Sequence, residues 1–247
     1  MHIHRPKAAQ SLRDFAAEIG VIVAGILIAL ALEQSVQFFH EQQIAAEARE
    51  AVRAEVRENL WWMQRRGMTE PCVRRRLSEL GVILGRARTG ASIPVIYRLG
   101  LLAHAKITSL RWEANSQAGR ASLFTGDEQR MLGNMYYTTE QFHQAQSNEE
   151  IVWSKLRAIQ GLDRLTPLEV HDFSVLLAEA RYQNWMVVLS LHRAGQWAGR
   201  MHLAPQNPTN VEGLAPSVRT QICQPITAPV AASAGTGVDG VQPEDIP

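Results

Sequence analysis

FAAEIGVIVAGILIALALEQSVQFF, residues Phe15 to Phe39, is the stretch on which the reading of this chain turns. Its centre, Ile19 to Leu32, is a fourteen-residue run with no polar or charged side chain. A bilayer core of ~30 Å needs about 20 helical residues at ~1.5 Å rise each. The run alone is too short. Phe15, Ala16 and Ala17 before it, and Val36, Phe38 and Phe39 after it, extend the helix to about 37 Å, enough to span with some tilt. The extension brings in two carboxylates. Glu18 sits near the start and reaches the interface. Glu33 falls at the far boundary, where it marks either the end of the span or a functional position, because a carboxylate in hydrocarbon is costly.

Three readings of this stretch compete. The favoured one is a signal anchor, a single transmembrane helix over 15–39. A cleaved signal peptide would use the basic start and Ala29-Leu30-Ala31 as its processing site, but Asp14 and Glu18 argue against it. A buried core helix would suit the shortness of the charge-free run. Small residues recur four apart, Gly20 with Ala24 and Gly25 with Ala29, a spacing that lets two helices approach closely in lipid. Arg5, Lys7 and Arg13 precede the span, and the first base after Phe39 is Arg49. That bias places the N-terminus in the cytoplasm and the larger C-terminal part outside a bacterial inner membrane, in the periplasm.

Beyond the anchor, the length leaves one domain of about 160 residues, enough to bury a core. The net charge of +1 gives no strong field for nucleic acid or an acidic substrate. Cys72 and Cys223 are the only cysteines. They are too far apart in sequence for a redox or zinc motif and are a disulfide candidate outside the cytoplasm.

Nothing stops the first helix until Gly67. Ile44, Ala48, Val52, Val56, Leu60 and Met63 follow one helical face, so the anchor continues as a stalk over 40–66. Arg49, Arg53 and Arg57 are read as a solvated face, and Trp61-Trp62 as core. A helical bundle domain should occupy 67–202. Its second helix runs from Cys72 to Arg88, striped by Val73, Leu77, Leu80 and Leu84, with Arg74-Arg75-Arg76 solvated. Val95 to Ser122 reads as one or two short helices. Thr125 to Glu128 forms a capping box that opens a helix to Gln160, with room for a break in the polar stretch 144–150. Gly161 ends that helix. Thr166-Pro167-Leu168-Glu169 is the clearest local signal, a Thr cap with Pro at the first helical position and Glu at the third. It opens a helix to Met201, striped by Val170, Phe173, Leu177, Ala180, Asn184, Val188, Leu191, Gly195 and Ala198. Asn184 is the polar residue on this face, expected to hydrogen-bond within the bundle or to bind a ligand. From 203 to 247 the Pro/Gly/Ala-rich composition predicts a largely disordered tail, pinned at Cys223 if the bridge forms. The cytoplasmic N-terminal tail is 1–14.

No GxSxG, P-loop, GxGxxG or HExxH motif is present, and no histidine pair has metal-ligand spacing beside a carboxylate. The sequence therefore proposes no catalytic residue, no cofactor and no metal site.

HIHRPKAA, LRDFAAEIGVIVAGILIALALEQ with Glu33-Gln34 closing the span, Cys72 to Leu80 and Ile222-Cys223-Gln224-Pro225-Ile226 together resemble a family of uncharacterised bacterial single-pass inner-membrane proteins. These have a short basic N-terminus and a helical C-terminal domain. The resemblance implies no activity. The expectation is an all-α protein: one transmembrane helix, a stalk, then an antiparallel bundle of three to four helices. Its expected partners are the lipid bilayer and either another envelope protein or a second copy through the membrane helix. An interaction or scaffold role is the first expectation, a ligand-binding sensor the second, an enzyme of unknown class the third.

Overall fold

The protein's structure, a computed structural model, describes residues 12–100, 102–206 and 222–228. The expected N-terminal tail before Leu12 and most of the C-terminal tail lie outside them. Among the described residues there is no strand. The fold is all-α: α1 Leu12–Gly67, α2 Glu70–Ala87, α3 Leu110–Gln117, α4 Gly126–Leu156 and α5 Pro167–Arg200, with short 3₁₀ turns at Arg120–Leu123 and Arg157–Ile159. Two compact units divide the chain. The first takes residues up to Val52 and Arg111–Thr125; the second takes Arg53–Leu110 and the residues from Gly126 on.

In the first unit, α1 side chains from Phe15 to Gln43 are exposed all round. This helix is long and apolar enough to cross a membrane, and its most apolar window has a mean hydropathy of 2.5. From Ala45 one face is covered: Ala45, Ala48 and Val52 are buried. Arg49 is not the solvated cation the sequence suggests. It donates to the Leu123 carbonyl at 2.9 Å and lies 5.5 Å from the Phe124 ring centre. Asn115 turns back on its own helix, its amide donating to the Arg111 carbonyl at 2.7 Å.

In the second unit, the stripe on α1 continues inward through Val56, Leu60 and Met63. The apolar face expected along the stalk is thus packed within this unit up to its end. α1 ends at Gly67, where packing also favours glycine, since a Cβ there would stand 2.5 Å from Leu191 Cδ2. Pro71 follows in the first turn of α2, where its missing N–H costs nothing. The predicted stripe Val73, Leu77, Leu80 and Leu84 is buried and joins Trp153, Leu156, Val170, Phe173 and Leu177 in one core. Trp61 and Trp62 are only half-buried, and Arg65 sits 5.0 Å from the Trp61 ring centre.

α4 and α5 form an antiparallel hairpin. α4 ends at a 3₁₀ turn and Gly161, whose φ of +79° needs no Cβ. The Thr166–Glu169 capping box is present in full. Its bonds from the Thr166 backbone and hydroxyl hold the Glu169 carboxyl below the usual carboxylate range. α2 runs antiparallel to α5, tied by Arg88 to Ser174 at 3.1 Å and by Arg181 to the Leu77 carbonyl at 3.4 Å.

Three expectations need correction. The segment before α3 is not helical; residues 91–100 and 102–109 run as an irregular strap. Its apolar residues Ile93, Ile96, Leu99, Ala103 and Ala105 are buried, and side-chain amides replace the missing helical bonds. Gln146 grips both the N–H and the carbonyl of Ala105, and Asn59 grips both groups of Thr108. Buried backbone must be satisfied somewhere, and here it is satisfied by side chains. Second, α4 does not break at 144–150, because Gln146 and Glu149 face inward with partners. Third, the buried face of α5 departs from the predicted stripe after Asn184. Val187, Ser190 and Ala194 are buried, while Val188 and Gly195 are exposed.

Candidate functional site

The interior of the second unit contains charges, and each is held by its neighbours. Arg66 donates to Glu149 at 2.6 Å with both side chains inaccessible to solvent, and its second nitrogen reaches Thr69 Oγ1 at 3.2 Å. Burial pushes the Glu149 carboxyl up while Arg66 pulls it down. Tyr136 donates to Glu55 at 2.6 Å. Removing one partner of such a pair strands a charge, whereas the intact pair fixes which helix faces meet. These contacts organise the bundle and bring no acid–base pair to a cleft.

A second set fastens the C-terminal segment. Cys72 and Cys223 stand at disulfide distance, with Cα atoms 4.8 Å apart at a sequence separation of 151. Closing a loop of that length stabilises by about 5 kcal/mol in the chain-entropy model. Ile222 and Ile226 enter the core on either side. Tyr97 N–H donates to the Ile226 carbonyl at 3.0 Å, and Ile226 N–H donates to Glu79 at 3.2 Å. The triple arginine was expected on the surface. Arg74 and Arg75 are exposed, Arg74 paired with Glu70 at 2.8 Å, but Arg76 is buried. Arg75 donates to the Cys223 carbonyl, and buried Arg76 donates to the carbonyls of Leu99 and Gln224. Burial lowers the Arg76 pKa to about 10.

The outer side of α5 differs from its buried side. Leu168, Val175, Tyr182 and Leu189 recur every seven residues, with Ala178 and Trp185 between them. Leu168 is 70% exposed, Tyr182 56% and Trp185 55%. The Tyr182 and Trp185 rings lie side by side, centroids 5.9 Å apart. Exposed acids, Asp172 and Glu179, flank the first half of this stripe; exposed bases, Arg193 and Arg200, follow its C-terminal end on the same helix. A seven-residue apolar repeat flanked by charges is the pattern that receives another helix. It was legible in the sequence, but it is masked there by the stronger stripe on the inner face of the same helix.

The other residues singled out in the sequence are placed as follows. Glu33 is exposed on α1. Gly20, Ala24, Gly25 and Ala29 are exposed, and a Cβ at either glycine would meet nothing within 4 Å. Asn184 is buried, and its Oδ1 has no hydrogen-bond partner, so the expected bond inside the bundle is not made by that atom. No group of three or more metal-ligating side chains occurs among the described residues. The sequence reading missed the Arg66–Glu149 pair, the inward grip of Arg76 and the outer stripe of α5. Comparison with protein-family models, curated proteins and solved structures finds no match to this chain.

Proposed function

We propose that the chain is a membrane-anchored helical interaction module of the bacterial envelope. In this reading residues 15–39 cross the inner membrane, the N-terminus is cytoplasmic, and the helical part is periplasmic. The outer face of α5 receives a helix of another envelope protein. The observation that carries the interaction reading is the α5 stripe: Leu168, Val175, Tyr182 and Trp185 are more than half exposed, and Leu189 continues their seven-residue spacing, that of a helix–helix contact. Its flanking charges favour a partner helix with bases beside Asp172 and Glu179 and acids beside Arg193 and Arg200. A disulfide between Cys72 and Cys223 agrees with an oxidising compartment.

The test is photo-crosslinking from position 178, an exposed position in the same stripe, in intact membranes, followed by purification of the tagged full chain. One defined adduct should form. It should disappear in Tyr182→Ser/Trp185→Ser and persist in Ile151→Ser, an exposed apolar residue on α4. If the adduct survives the double substitution, or disappears equally in the α4 control, the α5 reading is wrong.

A further inference from the structure

Away from α5's outer face, a cleft of about 40 Å³ opens between α4 and the irregular strap. On that measure one water needs ~10–15 Å³, so the cleft has room for a group of several heavy atoms. Ala103, His104, Gln146, Glu150, Trp153 and Arg157 line it. Trp153 is 1% exposed, and its indole N–H has no acceptor. The Arg157 Nε–H is buried and also has no acceptor. A buried donor left unmatched costs roughly 1–3 kcal/mol, so two on residues that line one cleft call for an acceptor. Positions 153 and 157 are four apart, hence on one helical face. Gln146 does not compete, because both ends of its amide are committed to Ala105. At the rim, Glu150 lies 3.7 Å from His104 Nδ1, with both side chains about half exposed or more.

We propose that this cleft binds the carboxylate of a small organic acid, one oxygen accepting from Trp153 Nε1–H and the other from Arg157. The charge at the site selects the class. Arg157 offers one positive charge to a carboxylate, while the rim carboxylate of Glu150 repels a doubly charged phosphate more than a monoanion. The size selects a small group, and the apolar wall of Leu102 and Ala103 suits its carbon end. This proposal does not rest on the α5 interface, and either can fail without the other. A chain that held both features would couple a soluble ligand to a protein partner.

The test uses the full chain in detergent with ¹⁵N-labelled tryptophan and sodium acetate as the probe. Six indole N–H signals are expected, one for each tryptophan. The Trp153 signal, identified by its loss in Trp153→Phe, should move saturably with acetate and stay still with sodium chloride at matched ionic strength. In Arg157→Gln the same movement should need about tenfold more acetate or vanish, as expected for loss of a charge-assisted hydrogen bond. The remaining indole signals report whether each variant is folded. If Trp153→Phe does not fold, assignment by elimination with the other tryptophans replaces it. A signal that ignores acetate, follows chloride equally, or moves unchanged in Arg157→Gln overturns the proposal and leaves the cleft to water. A response to inorganic phosphate stronger than that to acetate also overturns it.

Discussion

Residues 15–42 and 45–66 belong to one helix and meet opposite surroundings. In the first stretch the side chains are apolar around the whole circumference and exposed: Val21 is 74% exposed, Leu27 60% and Phe39 72%. In the second, one face is buried, and that face includes Glu55, Asn59 and Arg66. The more apolar stretch is thus the one without protein around it, and the stretch with charges is the one inside. The difference separates two kinds of burial. An all-round apolar helix needs an apolar solvent, which a bilayer supplies. A one-sided helix needs protein, and it tolerates buried charge where a neighbouring helix brings the partner.

The largest expected effect breaks the first half of this comparison. Ile26→Arg with Leu27→Arg places two cations mid-span, at about 2.5–3.5 kcal/mol each for insertion. The variant should leave the carbonate-washed membrane pellet. If it stays there at the wild-type level, the span is not in lipid. Next, Arg66→Met should destabilise the second unit by about 3–5 kcal/mol, because Glu149 is left buried without its partner. Adding Glu149→Leu should recover much of that loss in urea unfolding of the detergent-solubilised chain. An equal loss in single and double variants would show that the pair does not act as a pair. The third substitution pair compares the halves directly. Leu60→Ala should cost about 2–5 kcal/mol, since the site is 2% exposed and lies in the core. Leu27→Ala should change unfolding by about 0.5 kcal/mol or less, with no packed protein neighbours to lose. Comparable losses would mean that the first stretch has a protein partner where the proposal puts lipid.

Much of the fold was legible because its signals are local. The Thr166–Glu169 box, the C-cap at Gly161, the break at Gly67 and the stripe of α2 each depend on residues within a few turns. The strap at 91–100 and 102–109 was not legible, because backbone groups in it are satisfied by Gln146 and Asn59, far away in sequence. The shift of α5's buried face was missed because Val187 and Val188 are equally apolar, and only packing selects between them. Arg76 read as surface for the same reason: the carbonyls that receive it belong to Leu99 and Gln224.

The amino-acid sequence by itself determined the helical class, the one helix apolar enough to cross a membrane, and the cysteines able to close the chain. Those follow from composition and short-range spacing. Tertiary structure alone decided which charges are interior, which face of α5 is left uncovered, and that Trp153 and Arg157 share a cleft. Each of these depends on which distant residue arrives opposite, and the free energy of burying a polar group is set by that partner.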